Sequence, residues 1–353
     1  MVMQATHEAH NATLAPDGIP LHYGDLATEY NAALNNAILL DRSHEGRVQI
    51  FGADRFELLN RMSTNKMIDM QAEEGRATLF LTANARIIDR VVAYNHDDHL
   101  LVITEPGRGE WLRGFLQKNI FFGDDVRLVD VTQATRMFGL HGTQADNILA
   151  SAGIAVDDVN AMRGVTGAFG SATFYAVRRK AISGQHWAIV AGNQNAVAVY
   201  EGLMQAGQDV GIKPAGGITY NTLRIRAGHP ARPELNTDYI PLEIGLWDEV
   251  HFAKGCYTGQ EIIARMESRA RLAKTIVRLD DLSPYAEAPA DVTHDGKNIG
   301  RMTSSVTAPT GEVFALAVLK TSAIEQGVSV TIGESTATIG AFVGEQPDFI
   351  EQA

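Results

Sequence analysis

The chain has 353 residues, of which 45% are hydrophobic and 20% are charged, and this composition indicates a folded protein of two or three domains. A formal net charge of −12 argues against a general affinity for nucleic acid. The single cysteine excludes an intrachain disulfide and a thiolate zinc cluster within one chain, and it fits a reducing compartment. No apolar run is long enough to span a membrane, and residues 1–14 do not resemble a signal or transit peptide. We therefore expect a cytoplasmic protein that does not bind membranes.

The first part of the chain alternates predicted helices and strands. Residues 1–20 are predicted to form a loose polar leader. Beyond them, helical and alternating apolar spacings and one turn signal at 95–98 define the elements. In chain order they predict a helix at 25–35, a strand at 47–51, a helix from Asp54, a strand at 77–82, hairpin strands at 86–94 and 99–104, a helix at 108–118 and a strand at 125–129. This order predicts a compact α+β unit at residues 46–133.

The rest of the chain changes from mixed elements to short strands. The mixed part predicts a strand at 137–140, a helix at 143–152 capped by Thr143, strands at 172–179 and 186–191, and helices at 196–206 and 222–226. The short apolar runs that follow lie at 275–279, 313–318, 328–331 and 336–342, with a tight turn predicted at Asp295-Gly296. Such runs, separated by glycine, predict a small all-β barrel or sandwich. We place the last domain boundary near residue 270.

One octapeptide contains several side chains that could take part in a reaction, and it reads Lys254-Gly-Cys-Tyr-Thr-Gly-Gln-Glu261. Thr258 and Glu261 have the spacing of a capping box, which predicts a helix from Thr258 to about residue 269. Cys256 would then lie near the positive end of the helix dipole, and Lys254 would add a cation. Both influences favour a reactive thiolate. The alternative is a small residue that fits a tight loop and carries an inert thiol.

Two other sequence patterns are weak evidence for a metal site and for a phosphate-binding loop. His96-Asp-Asp-His99 could supply metal ligands. Its place in a predicted hairpin turn favours a solvated polar tip, so we predict no metal site. The spaced glycines Gly164, Gly167 and Gly170 lack the spacing and the following lysine of a phosphate-binding loop.

The octapeptide resembles the signature of the YgfZ-type folate-binding proteins, which are relatives of the glycine cleavage T-protein (aminomethyltransferase). Further segments resemble the same superfamily in collinear order over most of residues 35–345. These segments are Leu40-Asp-Arg-Ser-His44 with Gly46, Ser63-Thr-Asn65, Asn221-Thr-Leu-Arg-Ile-Arg-Ala-Gly228, Pro241-Leu-Glu243 with Gly245-Leu246, and Gly300-Arg-Met-Thr-Ser304.

The resemblance implies a three-domain α+β fold of the T-protein type around a central folate site. Two domains would be α+β and the third a C-terminal β-barrel. The first domain would be discontinuous and would combine residues 1–45 with 134–269, including the signature. Residues 46–133 would be inserted into it, and residues 270–353 would form the barrel.

The chain departs from the aminomethyltransferase pattern at two places. The position of the T-protein aspartate after the second hairpin strand holds Trp111, with Glu110 one residue earlier. The pterin-binding run of the T-protein corresponds to residues 180–187, where its tyrosine and glutamates are absent. Proton transfer at the folate nitrogen then lacks its usual carboxylate, so glycine cleavage is not expected. Glu105 and Glu110 are the local carboxylates that a one-carbon transferase could use.

Several residues are candidates for binding tetrahydrofolate. The flat pterin could stack on Trp111, Trp187 or Tyr220, and tail carboxylates could pair with Arg224 and Arg226. Gln260 of the signature is a further candidate for binding tetrahydrofolate. The alternative is that these residues are core aromatics and surface ion pairs.

The resemblance implies a tetrahydrofolate-binding accessory protein that supports iron–sulfur cluster assembly or repair and cluster-dependent enzymes such as tRNA-modifying enzymes. Cys256 would be its reactive thiol, assisted by Lys254. The expected partners are folate and iron–sulfur client proteins or assembly factors, and we expect a monomer. The alternatives are a tetrahydrofolate-dependent aminomethyltransferase or demethylase, and a pure interaction module.

Overall fold

The computed structural model describes residues 2–156, 162–269 and 272–344. The described helices are α1 Gln4–Ala9, α2 Leu26–Asn35, α3 Arg55–Met62, α4 Gly109–Gln117, α5 Ala145–Ser151, α6 Ala196–Ala206, α7 Gly217–Ala227 and α8 Gln260–Ser268, with short 3-10 turns at Pro241–Ile244, Trp247–Glu249 and Thr321–Ala323. The described strands are β1 Thr13–Leu14, β2 Pro20–His22, β3 Ile38–Asp41, β4 Glu45–Phe51, β5 Gly75–Leu81, β6 Ile87–His96, β7 His99–Pro106, β8 Arg127–Asp130, β9 Thr135–Gly142, β10 Gly164–Phe169, β11 Ala172–Arg178, β12 Gln185–Gly192, β13 Lys213–Ala215, β14 Lys274–Ser283, β15 Ala290–His294, β16 Lys297–Thr307, β17 Val313–Lys320, β18 Ser329–Ile332 and β19 Ser335–Phe342.

The chain divides into two compact units, each built from separated segments. Unit 1 comprises Met1–Leu58, Met67–Arg76 and Val91–Leu223, and unit 2 comprises Leu59–Lys66, Ala77–Arg90 and Arg224–Ala353. None of the helices in the described part of the chain is both long and apolar enough to cross a membrane.

The larger sheet of unit 1 joins strands from distant parts of the sequence. Among the described residues its order is β10-β11-β12-β9-β3-β13, and β3 pairs with β9 in the antiparallel sense and with β13 in the parallel sense. One face packs on α5 and α6 in a core that includes Leu39, Phe138, Trp187, Ile189 and Tyr200. A strand that precedes residue 45 therefore shares a sheet with strands that follow residue 134.

A second sheet has the order β5-β6-β7-β4-β8 among the described strands. The predicted hairpin is confirmed, because β6 and β7 pair up to His96 opposite His99. Helix α4 packs against β4, β7 and β8, as expected from its apolar stripe with Leu112 and Leu116, which are fully buried.

The predicted C-terminal β-barrel is confirmed. The described strands close in the order β14-β17-β16-β15-β18-β19 around a core that includes Val277, Leu279, Met302 and Leu319. The strands on either side of the predicted Asp295-Gly296 turn, β15 and β16, were not predicted. The reason is that polar residues interrupt their apolar alternation, and in β15 Val292 alone is buried. The predicted boundary at residue 270 lies outside the described residues.

Two local predictions were wrong. The N-terminal leader instead forms α1 and the β1–β2 hairpin, anchored by His7, which is fully buried. Thr143 does not cap α5, because its hydroxyl donates a hydrogen bond to the carbonyl oxygen of Asn35 and Gln144 is the cap residue. The glycine-spaced segment from Gly164, for which only a phosphate-binding loop was excluded, forms β10, paired with β11.

Candidate functional site

The signature loop leads into α8 one residue later than the capping box predicts. The N-cap residue is Gly259, whose φ angle is 86°, and Thr258 makes no cap. A β-carbon on Gly259 would lie 2.8 Å from the carbonyl oxygen of Thr82, so the backbone passes too close for any other residue. The left-handed conformation, which glycine adopts at little cost, therefore sets the helix start.

Cys256 and Lys254 have very different environments in this loop. Cys256 is exposed, whereas Lys254 is buried. The Lys254 ammonium donates hydrogen bonds to the carbonyl oxygens of Asn60, Ser63 and Asn65. An ammonium group has three N–H donors, and these carbonyls offer one acceptor for each. Lys254 thus positions the loop, and its predicted role as the cation that activates the thiol has no support in this geometry.

The segment that Lys254 contacts is itself a family-like motif. Within it, the Thr64 hydroxyl donates a hydrogen bond of 2.7 Å to the carbonyl oxygen of Glu249, and the His251 N–H donates to the carbonyl oxygen of Thr64. Residues 249–254, which precede Cys256, are therefore hydrogen-bonded to the Ser63-Thr-Asn65 segment at their start, through Glu249, and at their end, through Lys254. Gln260 is the first residue of α8 and is partly exposed.

The two predicted arginines of unit 2 differ in their pairing. Arg224 and Glu234 form a buried ion pair at 3.2 Å, and Glu234 accepts a second hydrogen bond of 2.6 Å from the Ser304 hydroxyl of β16. The charge that we assigned to a folate carboxylate is therefore already compensated at Arg224. Arg226 is exposed, so its assignment stays a prediction.

Trp187, in unit 1, is not placed to stack on a ligand. Its side chain is fully buried in the core, and its indole N–H donates a hydrogen bond of 2.7 Å to Asp146. The reason is the alternation of β12, where Trp187 and Ile189 point to one face and His186 points to the other. The prediction for Trp187 was therefore wrong.

The face of the sheet opposite that core carries two stacked imidazoles. His186 lies opposite His141 in the register of β12 and β9, and the ring centroids are 3.8 Å apart. The ring of Tyr220 meets His141 edge-on at 6.1 Å, and the guanidinium of Arg42 lies 3.8 Å from the Tyr220 centroid. Tyr220, a predicted stacking residue, thus belongs to a buried polar cluster.

The electrostatics of this cluster centre on Glu45. Its carboxylate accepts hydrogen bonds from Arg42 at 2.7 Å and from Arg179 at 2.9 Å. Burial acts to raise the pKa of Glu45, but the two guanidinium groups lower it to about 2. Burial, with the neighbouring His186 and Arg42, holds the pKa of His141 well below its usual value, so its imidazole is neutral.

His141 is also unusual in its hydrogen bonding. Its side chain is fully buried, and neither ring nitrogen has a hydrogen-bond partner among the described residues. Leaving a buried polar group unpaired costs about 1–3 kcal/mol. Such a cost is often associated with a ligand or an ion that completes the site.

A cavity of about 680 Å³ lies elsewhere in unit 1 and is lined in part by Asp41, Ser43, His44 and Gly46 of the first family-like motif. Asp41 accepts hydrogen bonds of 2.8 Å from buried His7 and from the N–H of Ser43. Burial acts to raise the pKa of Asp41, but these hydrogen bonds keep it below its usual range. The motif therefore supplies an ionised, fully paired carboxylate to the cavity wall.

Glu105, Glu110 and Trp111, which lie near the position expected for the T-protein carboxylate, have environments that differ from one another. Glu110 is exposed and forms an ion pair of 2.7 Å with Arg113. Trp111 stacks on Phe115 with centroids 5.0 Å apart and lies under the guanidinium of Arg108. Glu105, in contrast, lies close enough to Arg42 and Tyr220 of the buried cluster to interact electrostatically with both.

The model of the GCVT N-terminal domain family matches residues 3–254, which is well over half of the chain. The chain belongs to this family. The fold agrees, because the crystal structure of glycine cleavage system aminomethyltransferase T from Bartonella henselae superimposes with a TM-score of 0.85 at 20% identity, covering 97% of this chain and 96% of that one. The expected α+β fold of the T-protein type, with its C-terminal β-barrel, is thereby confirmed, and the division into three domains stays a prediction.

Two curated relatives extend the similarity to nearly the whole chain. A putative chloroplastic transferase of Arabidopsis thaliana is 29% identical over 352 residues, which cover 96% of this chain and 77% of that protein. An aminomethyltransferase of Corynebacterium aurimucosum is 26% identical over 342 residues, which cover 94% of this chain and 92% of that protein. The expected T-protein superfamily is confirmed by these findings.

The structure groups the predicted site residues by unit. Unit 2 contains Lys254, Cys256, Gln260, Arg224 and Arg226, and unit 1 contains Trp111, Trp187 and Tyr220. Sequence reasoning missed Arg42, Glu45, His141, Arg179 and His186. The signal for His186 was the strand alternation around Trp187, and the signal for Arg42 and Glu45 was their place within residues 40–46, which resemble the superfamily motif.

Proposed function

We propose that this chain is a tetrahydrofolate-binding accessory protein of the YgfZ type, a cytoplasmic monomer that supports iron–sulfur cluster assembly or repair and cluster-dependent enzymes such as tRNA-modifying enzymes. The observation that carries the proposal is the position of Cys256. Its thiol is exposed, while buried Lys254 and the helix start at Gly259 hold the loop in place. An exposed thiol on a fixed loop is accessible to a partner protein without rearrangement of the core.

Cys256 acts in this proposal as a thiolate, which is the form that attacks sulfur and ligates metal ions. Its proton goes to solvent when the thiolate forms. The partner atom is a sulfur of a client disulfide or persulfide, whose second sulfur leaves as a thiolate when the new bond forms, or a cluster iron of the client protein, which exchanges one ligand for the thiolate. The iron is cargo rather than a resident cofactor.

The surroundings of α4 favour this proposal over glycine cleavage. The expected carboxylate position holds Trp111, and the neighbouring Glu110, which lines the cavity near Asp41, is 74% exposed and paired with Arg113. A general base must lie within hydrogen-bond reach of the proton that it moves. Neither residue supplies a buried carboxylate there.

The polar cluster of unit 1 around His141 has groups that could contact a flat heteroaromatic ligand such as a pterin. The unpaired ring nitrogens of His141 can donate to or accept from the polar edge of a heterocycle. Tyr220 and the stacked imidazoles of His141 and His186 offer aromatic neighbours. Tetrahydrofolate, when bound, supplies nitrogens that carry one-carbon groups, and the residues of the chain bind and orient its ring and keep His141 neutral.

The proposal is tested with Cys256→Ala in a strain that lacks its own YgfZ-type protein. We expect the variant to fail in complementation and to bind tetrahydrofolate as the wild type does, measured by calorimetry. Thr258→Ala, an exposed change in the same loop, is the matched control and should complement. Full complementation by Cys256→Ala would refute the role of the thiol, and an absence of folate binding would favour a pure interaction module.

A one-carbon transferase, either an aminomethyltransferase or a demethylase, is the second candidate because Glu105 interacts electrostatically with Arg42 and Tyr220. A carboxylate in that position could handle a proton at a folate nitrogen. Relatives named aminomethyltransferase cover most of the chain. Turnover of a methyl or aminomethyl donor with added tetrahydrofolate, lost in Glu105→Gln, would establish this function instead.

A further inference from the structure

Three potential metal ligands converge at the tip of the β6–β7 hairpin in unit 1. Glu73, His96 and Asp97 each offer a ligand atom, and these atoms all lie within 4.8 Å of one another. His96 and Asp97 belong to the hairpin tip, whereas Glu73 comes from the segment before β5. The cluster lies outside the signature loop and outside the buried cluster around Glu45.

The imidazole of His96 lies between the two carboxylates. Its Nδ1 is 3.2 Å from Oε1 of Glu73, and its Nε2 is 3.5 Å from Oδ2 of Asp97. Ligand atoms around a zinc-sized ion lie about 3–3.5 Å apart when each bond is about 2.0–2.2 Å. Because the two carboxylates face different ring nitrogens, an ion bound to one nitrogen requires one carboxylate to move to that side. The three ligand atoms lie within 4.8 Å of one another, so this movement is short.

Tyr175 orients two of these ligands. Its hydroxyl donates a hydrogen bond of 2.5 Å to Oε2 of Glu73, which leaves Oε1 directed at His96. Its ring stacks on His96 with centroids 3.7 Å apart. Outer residues that fix the ligands in this way are typical of metal sites, and the side chains of His96 and Glu73 are only 17% and 33% exposed.

We propose that Glu73, His96 and Asp97 form a binding site for a divalent first-row transition metal ion of the zinc class. A neutral imidazole with two carboxylates carries a double negative charge that complements a dication, and nitrogen with oxygen ligands suits zinc and its neighbours better than calcium. Water completes the coordination on the exposed side of Asp97. The bound ion links the hairpin tip to the segment that carries Glu73.

The neighbouring residues of the same turn provide an internal control. His99 directs Nδ1 to Asp98 at 3.1 Å and Nε2 to Gln49 at 3.0 Å. Both nitrogens of His99 are therefore engaged away from the ion. Asp98 is as exposed as Asp97, at 81% against 76%, but its carboxylate faces His99.

The test is calorimetric titration of the full-length protein with Zn²⁺, supported by the visible absorption of bound Co²⁺. We expect one equivalent that is lost in His96→Ala, and a Kd raised at least about tenfold in Asp97→Asn. Asparagine tolerates the left-handed backbone found at Asp97, where φ is 48°. Asp98→Asn, the matched control, should bind as the wild type does.

A second variant guards against misfolding of His96→Ala. Glu73→Gln keeps the size of the side chain, and we expect it to weaken Zn²⁺ by a similar factor of about ten with unchanged thermal stability of the metal-free protein. The proposal is overturned if Asp98→Asn weakens Zn²⁺ as much as Asp97→Asn does. It is also overturned if the wild type binds no Zn²⁺, or if His96→Ala and Glu73→Gln both retain the wild-type affinity.

Discussion

The ammonium of Lys254 donates a hydrogen bond of 2.9 Å to the carbonyl oxygen of Asn65, and this contact joins two segments that resemble the same superfamily. Asn65 ends the Ser-Thr-Asn segment, and its own side chain donates a hydrogen bond to the carbonyl oxygen of Ala77 on β5. The lysine of the signature is thus a positioning residue, and the exposed Cys256 two residues later is left as the chemical group of the loop.

Replacing Lys254 by methionine should loosen this attachment. Lys254→Met keeps most of the buried aliphatic chain but leaves the carbonyl oxygens of Asn60, Ser63 and Asn65 without the ammonium. We expect the free energy of local opening to fall by about 2–4 kcal/mol, since charged hydrogen bonds are worth about 1.5–3 kcal/mol each and do not add fully. Hydrogen exchange of amides 60–66 measures this opening.

Lys320→Met is the matched control for that experiment. Lys320 also donates to a backbone carbonyl, that of Asn298 at 2.8 Å, but it does so on the exposed surface. We expect a change below about 0.5 kcal/mol. Equal effects of the two substitutions would show that burial of Lys254 does not matter to the loop.

Buried and exposed ion pairs of the chain should differ in their contribution to stability. Arg90 and Glu249 are paired with side-chain exposures of only 7% and 3%, and the guanidinium makes two-pronged contacts with the carboxylate. Arg90→Ala leaves Glu249 as an uncompensated buried charge, so we expect a loss of about 3–5 kcal/mol. Chemical denaturation followed by tryptophan fluorescence provides the measurement.

The control for the ion pair is Arg113→Ala. Its partner Glu110 is 74% exposed, and water replaces the guanidinium when it is removed. We expect no measurable loss of stability, because water screens an exposed ion pair. A loss at Arg113 comparable with that at Arg90 would contradict the assignment of the stabilisation to burial.

The buried carboxylate of Glu45 should make stability depend on pH in the acid range. Its folded pKa of about 2 lies below the ordinary value of 4.5, so its contribution is present above pH 4.5 and is lost as the pH falls towards 2. The shift corresponds to a contribution on the order of 3 kcal/mol at neutral pH. Glu45→Gln should therefore be much less stable than the wild type at pH 7, with a difference that shrinks between pH 4.5 and 2.

His44 provides a separate pH window for comparison. Burial, followed by Arg42, lowers its pKa from 6.5 to about 4. The unfolded chain therefore takes up this proton first, and stability is lost as the pH falls from 6.5 to 4. We expect His44→Gln to flatten the denaturation profile in that window and to leave the one below pH 4 unchanged. Identical pH profiles of stability for His44→Gln and the wild type would contradict the lowered pKa of His44.

Local sequence patterns predicted most of the helices and strands. They could not predict the buried polar cluster, because its residues meet only in the tertiary structure. Helix α6 begins and ends at the predicted residues 196 and 206 because its apolar stripe packs on one side. The start of α8 was missed by one residue because the close approach of Gly259 to Thr82 involves residues far apart in sequence. The pairing of Arg179 with Glu45 likewise spans segments whose proximity only the sheet reveals.

Trp187 and His186 occupy consecutive positions of β12 and give a matched pair for testing which face of the sheet meets a ligand. His186 lies in the polar cluster with His141, whereas Trp187 is a core residue bound to Asp146. If the proposed folate site includes this cluster, His186→Ala should raise the Kd for tetrahydrofolate at least about tenfold, equivalent to about 1.4 kcal/mol. Trp187→Phe should leave the Kd within about twofold but lower the melting temperature by several degrees, since it removes a buried hydrogen bond and creates a cavity. Calorimetry and thermal denaturation of the two variants measure these effects, and weaker binding in Trp187→Phe than in His186→Ala would place the ligand on the other side of the sheet.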